Sequence, residues 1–111
     1  MNINQRDIVL INIPFSNLEN GKLRPALVVS NNLLNLKSED FIAAPLTSVL
    51  KDEPYSILIT QEDLSHGNLI KTSRIRLDKI VALSKNLIRN KIGAINLETF
   101  DRVKEEFISL I

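Results

Sequence analysis

The chain has 111 residues, with 14 Lys and Arg against 13 Asp and Glu, a net charge of +1 and no cysteine. That length suits one domain, 1–111, with a core of its own, and the missing cysteines exclude disulfides and thiolate metal sites. With 44% apolar and 24% charged residues, no apolar run near the ~20 residues of a membrane span and no signal-like core in Met1–Arg6, a soluble cytoplasmic protein is expected.

In chain order, Asp7 to Ile13 reads as a strand ended by Pro14. Residues 15–23 form a loop rich in turn formers (Ser16, Asn17, Asn20, Gly21). Leu23 to Ser30 is a second strand, rich in β-branched residues at its end. Asn31 to Ser38 is either a helical turn or a loop. Phe41 to Thr47 is a third strand, in which Pro45 signals an edge or a bulge. A charged loop to Pro54 leads to a fourth strand, Tyr55 to Thr60, and Ser65-His66-Gly67-Asn68 reads as a turn.

Leu69 to Leu77 and Lys79 to Ser84 are two strands, or one bent near Asp78. Asn86 to Gly93 is a short connecting element. Asn96 is suited to cap a last helix from Leu97 to about Leu110. Its apolar residues Leu97, Phe100, Val103, Phe107, Leu110 and Ile111 recur every three or four positions. Short strands with one closing helix predict a mainly β fold with short helices, a small, strongly bent barrel closed by the C-terminal helix.

Chemistry concentrates at a few places. Arg24-Pro25 stands at the mouth of the second strand. Pro25 fixes its own φ and drives Arg24 into an extended conformation, so a guanidinium sits at the end of a rigid element. Its fork of donors matches phosphate oxygens, and a guanidinium stays charged at any working pH. The third strand ends in two hydroxyls, Thr47-Ser48. In Thr72 to Asp78, strand alternation puts Ser73, Ile75 and Leu77 on one face and Arg74, Arg76 and Asp78 on the other.

Charge is also segregated. Lys71 to Lys91 holds seven basic residues and one acid, whereas Lys37 to Asp63 holds six acids and two lysines. Such a distribution steers a polyanion to one side even at a net charge near zero. One histidine, His66, and scattered carboxylates offer no metal-ligand cluster, so neither metal nor other cofactor is expected.

Together, Asp7-Ile8-Val9-Leu10-Ile11-Asn12, the block from Gly21 to Asn31, Ala43 to Ser48 and Ser73 to Ile80 resemble the MazF/PemK (Kid) toxins of type II toxin–antitoxin systems. The resemblance runs in order from the first strand to the closing helix and implies the SH3-like barrel of that family. It implies a ribosome-independent, metal-independent endoribonuclease cutting single-stranded mRNA to 2′,3′-cyclic phosphate and 5′-hydroxyl ends. On this reading Arg24, Thr47 and Glu19 are catalytic, and Ser48, Arg76 and Asp78 are catalytic or bind RNA. Lys22, Arg74 and Asn17 are expected to bind RNA.

The family offers two templates for the general base. One is an acid in the first loop, five residues before the arginine, as Glu19 is here; the other is an aspartate two residues after a later arginine, as Asp78 follows Arg76. Glu19 is preferred. The family's glycine before the first-strand aspartate is Arg6 here, a change read as tolerated in an exposed turn. Some members carry a histidine in the first loop or beside the arginine, where this chain has Leu18, Lys22 and Leu23, and His66 falls in a turn read as structural. For base stacking, only Phe15 and Tyr55 are candidates. The resemblance further implies a homodimer and an antitoxin partner. Two other readings stay open: a toxin of the same fold that poisons gyrase, and a non-catalytic barrel that binds antitoxin or nucleic acid.

Overall fold

A computed structural model describes residues 2–12 and 22–111. Eight short strands and two helices follow in the order β1 (Asp7–Asn12), β2 (Leu23–Val28), α1 (Asn32–Lys37), β3 (Asp40–Thr47), β4 (Ser56–Ile59), β5 (Leu64–Gly67), β6 (Ser73–Arg76), β7 (Val81–Ser84), β8 (Ile88–Ile95) and α2 (Leu97–Leu110). The sheet runs β4-β6-β3-β2-β1-β8-β5, with β7 on the remaining part of β3, and its ladders are antiparallel. It curls into a half-barrel in which, among the described residues, β4, β5 and β7 each pair on one side only. This is the mainly β, helix-closed fold the sequence indicates. Neither helix is long and apolar enough to cross a membrane.

Strand alternation gives the sheet two buried faces. One packs Ile8, Leu27, Ala44, Leu46, Ile75 and Ile95 beneath Phe100 and Val103 of α2. The other gathers Val9, Ile11, Ala26, Val28, Phe41, Ala43 and Leu83. The middle turns of α2 do the packing: Phe100 and Val103 are buried, but Leu97, Leu110 and Ile111 are exposed because the helix ends overhang the sheet. The expected α2 face is therefore shorter than its periodicity.

Caps fix both helices. The Asn96 side chain accepts from Thr99 N–H at 2.8 Å, as expected. Asn31 does the same for Leu34 at 2.9 Å, which decides residues 31–38 as a helix. Inside that helix the buried Asn35 amide donates to the Ser30 carbonyl at 2.9 Å, tying it to the end of β2.

Three expectations need correction. Asn86 to Gly93 is no connector: Ile88–Ile95 is an eight-residue strand between β1 and β5. Its polar residues Arg89, Asn90 and Lys91 are exposed, and two register shifts against β1 disguise its pattern. Ser65–Gly67 is part of an edge strand rather than a turn, pairing His66 with Ala94 and Gly67 with Gly93. Leu69–Leu77 is a strand only over Ser73–Arg76, and a 3-10 turn, Leu77–Lys79, separates it from β7.

Arg6 adopts φ 84°, the left-handed region where glycine is at ease. Rather than lying free in a turn, it is half-buried and pinned: its Nη1 donates to the Ile95 carbonyl at 2.9 Å and its N–H to Val28 at 2.9 Å. These bonds join the ends of β2 and β8 across β1 and offset the strain of a side chain at that φ.

Candidate active site

Two prolines make the site. Ala26 and Pro45 are the last pair of the β2–β3 ladder, and Pro25, one step beyond, has no N–H with which to continue it. Pro45 is in no bulge, and its missing N–H falls on the side of β3 that is locally unpaired. On its far side β3 passes from β7, paired over Asp40–Ala43, to β6, paired at Leu46 and Thr47, and no donor is needed at the handover.

Beyond this point the strands diverge on other partners. Pro25 stands against Leu10 and Arg24 against Ile11 of β1, while Thr47 stands against Arg74 of β6. Between them opens a cleft of about 580 Å³, lined by Arg24, Thr47, Ser48 and Lys71, with Leu10, Leu46, Ile70 and Ile92 as apolar floor.

Alternation places Arg24, in step with Ala26 and Val28, on the same face as Thr47, in step with Ala43 and Pro45. Arg24 is exposed, and among the described residues no hydrogen bond or ion pair engages it. The Thr47 hydroxyl accepts the Val49 N–H at 3.1 Å. That bond uses a lone pair and leaves the hydroxyl proton for a bound acceptor. Ser48 is exposed beside it. The arrangement is one charged fork and two neutral donors around an apolar pocket, a geometry suited to an anion carrying an apolar or aromatic group.

The other residues singled out in the sequence are distributed differently. The expected faces of β6 hold: Ser73, Ile75 and Leu77 are buried, and Arg74 and Arg76 point the other way. Neither arginine lines the cleft. Arg74 Nε donates to the Ser56 hydroxyl at 2.9 Å and Nη2 to Asp52 at 3.0 Å, so it clamps the loop between β3 and β4. Arg76 holds Asp78 in a two-pronged pair at 2.9 and 2.7 Å. Lys22 is exposed next to β2. Asn17 and Glu19, with Phe15 and Leu18, lie outside the described residues. His66 is exposed on β5, away from the cleft. Tyr55 is exposed at φ 59°, and its carbonyl accepts from Leu77 at 2.9 Å.

The Arg76 hydrogen bonds hold the Asp78 carboxyl below its usual range, and the same bonds raise the Arg76 guanidinium. A carboxylate with both oxygens engaged and a lowered proton affinity is a poor base. A depressed folded value stabilises the protein above the ordinary carboxylate pKa and loses that contribution as pH falls through the folded value. The two side chains are 23% and 32% exposed, so the pair contributes at most about 1 kcal/mol. Asp78→Asn is expected to cost up to that amount at pH 7 and to match wild type at pH 2, measured by urea denaturation.

Sequence reasoning missed Lys71 as a member of the cleft, seeing it only as part of a charge run. It also missed Asp52 as the partner of Arg74, which no local pattern announces.

The fold is a curled, antiparallel half-barrel closed by a C-terminal helix, with a cleft at its proline-ended strands. A profile of the PemK-like, MazF-like toxin of type II toxin–antitoxin systems matches residues 4–111, and the chain belongs to that family. No curated protein matches by sequence. Among solved structures, a mycobacterial endoribonuclease in complex with its cognate antitoxin superposes with a TM-score of 0.79 at 19% identity, covering 96% of this chain and 92% of that one. The MazE–MazF complex (Form-II) of Deinococcus radiodurans gives 0.78 at 22% identity, over 99% and 95%. The Mycobacterium tuberculosis toxin MazF-mt6 gives 0.76 at 15% identity, over 94% of each.

Proposed function

We propose that this toxin is a metal-independent, ribosome-independent endoribonuclease acting on single-stranded mRNA in the cytoplasm. The observation that carries the reading is the meeting of Arg24 with Thr47 and Ser48 around one cleft, in a chain of this family. The ribose 2′-hydroxyl attacks its own 3′-phosphate as a base removes the 2′-proton. The bond to the 5′-oxygen breaks and that oxygen takes a proton from solvent water, giving a 2′,3′-cyclic phosphate and a 5′-hydroxyl. The substrate supplies the nucleophile, so positioning and charge stabilisation are what the protein must add.

Arg24 neutralises the phosphorane, and Thr47 and Ser48 donate to its oxygens. Glu19 is the base; Asp78, held by Arg76, orients that arginine toward RNA instead. Lys22 and Asn17 contact the strand, and Arg74 acts by positioning the loop after Ser48. The working form is a homodimer, and an antitoxin neutralises it, in keeping with the antitoxin complexes of similar toxins.

The test is incubation of wild type and Arg24→Ala with a long single-stranded RNA in excess chelator, with fragment ends mapped. Discrete cuts by wild type alone, with cyclic phosphate and 5′-hydroxyl ends, support the reading. Folded wild type that leaves RNA intact overturns it and directs attention to gyrase. Two further outcomes rank the residues. Thr47→Val, which loses a neutral donor, should lower kcat/KM by roughly 10- to 100-fold, less than loss of Arg24. Glu19→Gln should remove the acidic limb of the pH–rate profile, and an unchanged profile would exclude Glu19 as base.

A further inference from the structure

We propose that Lys71 is a second phosphate-binding residue, holding the phosphate next to the one at Arg24; this rests on the ribonuclease reading above. The seven basic residues from Lys71 to Lys91 look like one stripe in the sequence, but the fold disperses them. Arg74 is committed to Asp52, Arg76 to Asp78, and Lys91 to Asp7 and the Asn2 carbonyl. Lys85 and Arg89 donate to the Asn35 and Asn86 carbonyls. Lys79 lines a different, apolar groove with Ile11, Val81 and Leu83. Of the seven, Lys71 alone lines the cleft of Arg24, and its side chain is exposed.

The backbone that carries Lys71 is fixed although it belongs to no strand. Asn68 N–H donates to the Ile92 carbonyl at 2.9 Å and Leu69 N–H to the Gln61 side chain at 2.7 Å. On the other side the Ser73 hydroxyl donates to the Lys71 carbonyl at 2.9 Å. A flexible ammonium is therefore held at the rim of a rigid wall, with the apolar Ile70 beside it on the cleft floor. A lysine so placed meets a phosphate as a point charge and reads no base.

Binding is measured with a single-stranded RNA carrying a 2′-deoxy residue at the mapped cut site, which prevents attack, across a range of salt concentrations. Removing one phosphate contact lowers the slope of log K against log salt by about 0.7 for a single strand, roughly a fivefold loss of affinity at 0.1 M. Lys71→Ala should show both changes, Lys71→Arg should restore the slope, and the positions cut in cleavable RNA should not change. Lys104→Ala, an equal charge loss on α2, should leave the slope as in wild type. A wild-type slope in Lys71→Ala, or an equal fall in Lys104→Ala, overturns the proposal while leaving the ribonuclease reading intact. Failure of wild type to bind or cut RNA removes both.

Discussion

Arg24→Ala is expected to lower kcat/KM for RNA cleavage by at least about 10³-fold, the scale on which an arginine stabilises charge in phosphoryl transfer. The fold should survive. Arg24 is exposed and its backbone pairs with Ile11, an arrangement alanine can keep. Surface substitutions of this kind usually change stability by no more than about 0.5 kcal/mol. Arg24→Lys separates charge from geometry: a lysine keeps the positive charge but not the planar fork, so most activity should stay lost if two phosphate oxygens are gripped together. Near-full activity in Arg24→Lys would reduce the role of Arg24 to field strength. Near-full activity in Arg24→Ala, with cleavage ends unchanged, would sink its assignment.

The cleft explains why that arginine is so sensitive a position. A continuous β2–β3 ladder would carry Arg24 directly against the end of β3 and leave no space for a phosphate. Pro25 lies one step past the Ala26–Pro45 pair and has no N–H to carry the ladder on, while Pro45 lets β3 change partners on its far side, and the ladder ends there. Both prolines are plain in the sequence, but each alone signals only a local effect, a stiffened Arg24 and an edge or a bulge at Pro45. Their joint effect depends on register, which no single strand encodes.

The same distinction runs through the rest of the molecule. β1, β2, β3 and α2 were legible because each is a run of apolar or β-branched residues, or a capped amphipathic pattern, that declares itself locally. The faces of β6 were legible from alternation alone, down to the separation of Ile75 from Arg76. β8 was not, because Arg89, Asn90, Lys91 and Gly93 have poor strand propensity and tertiary pairing with β1 overrides it. The Arg76–Asp78 pair could be foreseen from two-residue spacing, whereas the Arg74–Asp52 pair joins positions 22 apart in the chain. Arg6 is a mixed case. Its departure from the family's glycine was visible, but the positive φ that makes it matter, and the Ile95 carbonyl that compensates it, belong to the folded chain.

The largest effect on stability is expected at Gly67. The residues Ser65-His66-Gly67-Asn68 resemble a turn because glycine and asparagine favour one, yet here glycine serves close approach. Gly67 lies opposite Gly93, at φ 88°. A Cβ on Gly67 would fall inside the contact distance of the Ile92 carbonyl oxygen and the Gly93 Cα, both backbone atoms of β8. Backbone cannot rotate away as a side chain does, so Gly67→Ala must push β5 off β8 while also straining φ. The cost should exceed about 3 kcal/mol, within the range reserved for buried clashes and backbone strain, and should lower Tm by more than about 10 °C. Gly93→Ala meets the His66 carbonyl oxygen at 2.6 Å and should fail for the same reason from the other side. The damage reaches the cleft. The Gly67 carbonyl accepts from Gln61 Nε2 at 2.9 Å, and the Gln61 Oε1 in turn takes the Leu69 N–H at 2.7 Å. Moving β5 therefore frees the wall that carries Leu69, Ile70 and Lys71, and any Gly67→Ala protein that still folds should bind RNA more weakly than its remaining stability suggests. Thermal denaturation of Gly67→Ala within about 1 kcal/mol of wild type would show that the two glycines do not need to touch.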